Sequence, residues 1–174
     1  MKKILSATAL FSLVVWGCTV VSGMLPAQDT KEDARKQPGA AGQTLTDETL
    51  NQMLDNMGLE PKKLSKGNLV AIKQDTWTIN IQVVLSANKE KLGLNANLGK
   101  VEDPASVTAN QWMDLLISNG EIEPSTFYYD KEQKKLYLHR VCDNRGMTPA
   151  ILRKEIDTFA RMIPKTEALW KFTK

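Results

Sequence analysis

From Trp77 to Leu85 the chain alternates without interruption. Trp77, Ile79, Ile81, Val83 and Leu85 are apolar, and Thr78, Asn80, Gln82 and Val84 fill the positions between them. A period of two sends successive side chains to opposite faces of a strand. A strand of this length with one apolar face needs neighbours along both edges and a layer to cover that face. Leu69 to Lys73 precedes it across Gln74-Asp75-Thr76, and Leu92, Leu94, Ala96 and Leu98 follow it with the same alternation. Further on, Thr126–Tyr129 and Lys135–Val141 flank the polar stretch Asp130-Lys131-Glu132-Gln133-Lys134, which reads as a hairpin loop.

Around these strands the period changes to that of a helix, three times. Thr46 is positioned to cap a helix whose apolar residues Leu50, Met53, Leu54 and Met57 recur at i, i+3, i+4 and i+7, with Leu45 and Leu50 as a hydrophobic staple and Gly58 as its stop. Thr108 and Gln111 have capping-box spacing, Val107 and Trp112 have staple spacing, and Gly120 marks the end. That helix is expected to bury Trp112, Met113, Leu116 and Ile117. The third starts at Thr148-Pro149, with Met147 and Leu152 as staple, because proline suits the first helical position. Its stripe is Leu152, Ile156, Phe159 and Ile163, closed by Pro164. The order α-β-β-β-α-β-β-α, with short polar links between strands, predicts an α+β fold. It consists of an antiparallel sheet of about five strands covered by three helices on one face.

Before residue 45 the composition is different. Lys2 and Lys3 precede an uncharged, mostly apolar run from Ile4 to Val15, the pattern of an export signal. Val15-Trp16-Gly17-Cys18 resembles the lipobox of bacterial lipoproteins, in which cleavage precedes a cysteine that is then diacylated; Gly17 and Cys18 match and Trp16 departs. Cleavage after Gly23 or Ala27 would release a soluble exported chain, and Ile4 to Val21 is just long enough for an uncleaved anchor. Each reading puts the rest of the chain outside the cytoplasm, lipid-anchored to the envelope, held by the anchor, or soluble in the periplasm or secreted. The chain therefore divides into a leader (1–27), a spacer (28–44) rich in charge, glycine and alanine with no apolar periodicity, and a folded domain (45–174).

Lys plus Arg is 23 against 20 for Asp plus Glu, and setting aside Lys2 and Lys3 leaves the rest nearly neutral. Lys62, Lys63 and Lys66 form the densest basic patch, with no aromatic residue near them until Trp77. Nucleic-acid binding is not expected. One histidine and two cysteines provide neither a multi-residue zinc site nor a disulfide framework, and no cofactor is expected.

The arrangement is similar to the type III secretion chaperone-like fold shared by the Tir chaperone and YbjN families. The echoes are Trp77 opening the long strand, Trp112-Met113-Asp114-Leu115-Leu116 in the middle helix, Phe127-Tyr128-Tyr129-Asp130 entering the last hairpin, Leu136-Tyr137-Leu138 leaving it, and Trp170 near the end. The resemblance implies a non-enzymatic module whose open sheet receives an extended polypeptide segment or a second copy of the chain. The chaperone branch is cytoplasmic, acidic and commonly dimeric, whereas this chain carries a leader and is mildly basic.

Chemistry is sparse. His139 is the only imidazole, and no nucleophile motif pairs with it. Cys142 is the sole thiol once the leader is gone, with Arg140 favouring a thiolate and Asp143 opposing it. A hydrolase or thiol-dependent enzyme built on His139, Cys142 or the acidic pairs Glu121/Glu123 and Asp130/Glu132 is the alternative to a binding role. The outward set Thr78, Asn80, Gln82 and Val84 carries no charge, which suits reversible contact with a polypeptide or a homodimer partner. Trp77, Trp112 and Trp170 are expected to face the core, and Trp112, if exposed, joins the contact surface. If the chain is lipidated, labelling with a palmitate analogue should vanish in Cys18→Ser and persist in Cys142→Ser; the reverse pattern would assign the modification to the wrong cysteine.

Overall fold

A Thr-capped start recurs at each main helix. In the computed structural model, which describes residues 44–173, α1 (Asp47–Asn56) begins at Thr46, α2 (Ala109–Glu121) at Thr108 and α3 (Pro149–Lys165) at Thr148, each threonine accepting from a backbone N–H of the first turn. The leader with Cys18 and nearly all of the spacer lie outside the described residues. Gly58, at φ +71, follows the C-cap of α1, in the left-handed conformation that glycine adopts without strain. Two ends differ from the sequence expectation. α2 runs through Gly120 to Glu121, and α3 contains Pro164 in its last turn before stopping at Lys165. A short α4 (Glu167–Trp170) follows.

The strands are β1 (Lys62–Lys63), β2 (Asn68–Gln74), β3 (Trp77–Leu85), β4 (Lys91–Lys100), β5 (Ser125–Asp130) and β6 (Lys135–Asp143). They form one antiparallel sheet in the order β1-β2-β3-β4-β6-β5. The fold is α+β as expected, with six strands instead of about five. The addition is β1, whose two lysines carry no alternation for a sequence reading to detect. β1–β2–β3–β4 is one meander and β5–β6 another. They join where β6 pairs with β4, after α2 has crossed between them.

One face of the sheet supplies Val70, Ile72, Ile79, Ile81, Val83, Leu92, Leu94, Leu136 and Leu138 to the core, against Leu50, Met53 and Leu54 of α1 and Leu152, Ile156, Phe159 and Ile163 of α3. Arg140 of β6 points to the same side and pairs with Glu155 of α3 at 2.6 Å, both side chains largely buried. The helix stripes of α1 and α3 are those the periodicity predicts. α2 is not. Leu115 and Ser118 are its buried residues, while Met113, Leu116 and Ile117 are 56%, 66% and 60% exposed.

Two polar side chains close the fold. Asn144, wholly buried, accepts from Leu45 N–H (3.1 Å) and donates to the carbonyls of Leu45 (3.0 Å) and Lys89 (2.7 Å), tying the first ordered residues and the β3–β4 turn to the end of β6. Asn119 of α2 accepts from Phe127 N–H at 2.6 Å and donates to the Phe127 carbonyl at 3.3 Å. It thereby occupies both outward backbone groups of Phe127 on the edge strand β5, which blocks pairing with another strand there. Asn144→Ala should destabilise the domain by about 2–4 kcal/mol, because three bonds go and buried backbone groups lose their partner. Chemical denaturation would show it as a lowered midpoint, and an unchanged midpoint would remove Asn144 from this role.

Candidate functional site

The residues singled out by the sequence fall on three different surfaces. His139 lies on the open face of the sheet, opposite Asn95 of β4, and its Nδ1 is 2.6 Å from the Asn95 Oδ1. Tyr128 of β5 stacks on Tyr137 (5.1 Å between centroids, 11° between planes) and meets the His139 ring edge-on at 5.9 Å. Burial lowers the His139 pKa below its ordinary value, and a hydrogen bond donated by the ring to the Leu94 backbone carbonyl only partly opposes it. The imidazole is therefore neutral at pH 7. Gly93 makes room for this packing: a Cβ there would stand 3.3 Å from both the His139 ring and the Val84 side chain.

Cys142 points to the other face. Its thiol donates to the Leu92 carbonyl at 3.6 Å beside the Arg140–Glu155 pair. Burial pushes its pKa up to about 11, with Glu155 adding to the rise and Arg140 opposing it. A thiol so placed holds its proton and is a weak nucleophile. The two candidates for chemistry are thus on opposite faces and cannot act on one substrate. Glu121 ends α2 and Glu123 lies in the turn after it, both exposed, and Asp130 spends its carboxylate on the N–H groups of Glu132 and Gln133 (both 2.9 Å) in the hairpin loop. Among the described residues no group of three His, Cys, Asp or Glu could hold a metal ion, and no helix is long and apolar enough to cross a membrane.

The predicted contact residues are brought together only in part. Thr78, Asn80 and Gln82 line one cleft on the open face, whereas Val84 sits beside Gly93 nearer the other end of β3. Trp112 is elsewhere. It packs edge-on against Tyr129 of β5 (5.6 Å) and Phe172 (5.8 Å), half-buried rather than in the core. Trp77 and Trp170 are likewise half-buried and meet edge-on at 6.0 Å.

Trp112 does, however, border an apolar surface. A pocket of about 340 Å³ between α2 and β5 is lined by Trp112, Leu115, Leu116, Phe127, Tyr128 and Leu136, with Asn119 its one carboxamide. Met113, Leu116 and Ile117 continue this surface along α2, and Tyr128, 42% exposed, continues it across β5. Helical periodicity registers that α2 has an apolar side. It does not register that Leu115 and Ser118 are turned inward, and so the stripe is outside.

No family model and no curated protein matches the sequence. Solved structures do. A chain of the crystallised ExsC–ExsE complex superposes with a TM-score of 0.53 at 15% identity, covering 71% of this chain and 92% of that one. YbjN from E. coli superposes with a TM-score of 0.54 at 17% identity, covering 74% and 96%. The domain has the type III secretion chaperone-like, YbjN-like fold. At these identities the likeness concerns architecture, and the sites above rest on this chain's own residues.

In a Cys18→Ser chain at pH 8, Cys142 should react with a thiol reagent far more slowly in the native state than after unfolding. Equal rates would show that burial does not control the thiol.

Proposed function

We propose that this protein is an exported, envelope-associated, non-enzymatic binding module that engages a polypeptide through the apolar surface of α2 and β5. The observation that carries the reading is the exposed row Met113, Leu116 and Ile117 beside the Trp112-bordered pocket. Large apolar side chains left contiguous on a surface favour association, since covering them removes apolar area from water at about 25 cal/mol per Å². The pocket gives one anchoring side chain a place to sit, the arrangement typical of binding hot spots. The fold supports a binding role, and the separation of His139 from Cys142 by the full thickness of the sheet supports a non-enzymatic one.

Export is supported by Lys2-Lys3 and the apolar run that follows, and attachment to the envelope by Gly17-Cys18. The same α2 surface can meet its counterpart on a second copy, because two-fold pairs bring one patch against itself. A polypeptide and a homodimer partner are therefore read out by the same experiment. A photo-cross-linking residue at position 116 in cells should give a polypeptide adduct, shifted by the mass of one further copy if the partner is the chain itself. The same residue at exposed Lys154 of α3 should give none. Adducts absent at 116, or equal at both positions, would overturn the surface. Recovery of the full-length chain, unprocessed, in the cytoplasm would overturn export.

A further inference from the structure

The pairing of the two central strands is incomplete. β2 and β3 pair along seven residues each, but β3 and β4 pair only from Leu85↔Leu92 to Gln82↔Asn95. Carried on, that register would set Asn80 opposite Asn97, yet no ladder pair joins Trp77–Ile81 to Ala96–Lys100. The cause lies in β4. Its register against β6 steps from Asn97↔Tyr137 to Gly99↔Leu136, leaving Leu98 as the extra residue of a bulge, and Gly99 has φ +141. A bulge bends the strand that carries it. The Leu98 carbonyl is taken instead by the Thr173 hydroxyl at 2.9 Å.

Between the diverging strands is a cleft of about 550 Å³, and none of its lining residues is charged, although a quarter of the chain is. Asn80, Gln82, Asn95 and Asn97 line it from β3 and β4, and Ile163 of α3 and Trp170 of α4 line it too. Three of these carboxamides are already held on one side. Gln82 donates to the Lys66 carbonyl (2.8 Å), Asn95 Oδ1 meets His139, and Asn97 Oδ1 accepts from Gly99 N–H (3.1 Å). What they leave for a ligand is a Gln82 acceptor and the amide donors of Asn95 and Asn97. Asn80 makes no side-chain hydrogen bond among the described residues and offers both. Tyr137 lines the same cleft and stacks on Tyr128, extending an aromatic platform away from it.

We propose that this cleft, with the Tyr137–Tyr128 platform beside it, is a binding site for a neutral oligosaccharide. Hydroxyl groups are donors and acceptors at once, and carboxamides fixed by a second bond match them without further ordering cost. The apolar C–H face of a sugar ring packs on aromatic rings. An uncharged lining discriminates against ionic ligands, whose desolvation it cannot offset. An extended peptide fits less well. The ladder holds β3 and β4 at one strand spacing, about 4.8 Å, only two residues from Asn80 and Asn97. The opening is therefore a wedge, suited to compact rings rather than to a third strand.

The site meets the α2 surface only at Tyr128, and Asn80 lies outside that surface, so the two readings are tested independently. The full chain should bind at least one member of a panel of neutral gluco-, manno-, galacto- and N-acetylglucosamine oligosaccharides, read by the fluorescence of Trp77 and Trp170. Asn80→Ala, at an exposed position outside the core, should keep the native circular dichroism and weaken binding roughly tenfold or more. Lys154→Ala should leave it unchanged. No binding to any member of the panel up to about 10 mM, or binding indifferent to Asn80→Ala in a folded variant, would overturn the proposal.

Discussion

Everything in this domain hangs on the pairing of β4 with β6. It is the longest ladder in the sheet, from Lys91↔Asp143 to Lys100↔Lys135, and the only one joining residues on either side of α2. The other four ladders join strands that follow one another in sequence. Local meanders form at small entropic cost, whereas this pairing must close a long loop. Once formed, it makes one sheet of two and brings Leu92, Leu94, Leu136 and Leu138 into a single core. It also places Arg140 over Glu155 and sets Asn144 where it can hold Leu45 and Lys89. The Lys91–Asp143 ion pair at its end is exposed and adds little by comparison.

The same ladder contains the irregularity that shapes the open face. A regular β4 would continue alongside β3, and Asn80 would pair with Asn97. The bulge at Leu98 bends β4 away, Thr173 takes the freed carbonyl, and the sheet opens between its two central strands. Fold and candidate site are thus one consequence of one pairing. The second candidate, on α2, arises at the periphery. Asn119 satisfies both outward backbone groups of Phe127 and fixes α2 against β5, and with Leu115 and Ser118 turned inward the apolar stripe faces solvent.

Much of this was legible in the sequence because it is written locally. Thr46, Thr108 and Thr148 announce helices by capping chemistry that needs no tertiary partner. Alternation from Trp77 to Leu85 announces a strand and its buried side in one pattern. What the sequence could not disclose depends on neighbours far along the chain. Asn144 reads as a turn residue within Asp143-Asn144-Arg145-Gly146, and only the approach of Leu45 and Lys89 makes it a buried clamp. Met113, Leu116 and Ile117 have the spacing of a core stripe, and nothing local says that α2 meets the sheet at its edge, through Leu115 and Ser118. Thr78, Asn80 and Gln82 could be read as an uncharged outward face; that they wall a cleft follows from the bulge at Leu98, two strands' pairing away. His139 and Cys142 are three residues apart in sequence and on opposite faces of β6, a separation that strand parity already foretells.

The most direct test of this account is amide hydrogen exchange, residue by residue, on the free protein. Amides that bond across the β4–β6 ladder, with those of Gln82 and Asn95 across the β3–β4 ladder, should be strongly protected, while those of Asn80 and Asn97, which have no such partner, exchange orders of magnitude faster. If Asn80 and Asn97 were protected to the level of Gln82 and Asn95, the sheet would be closed at this point and the cleft would not exist.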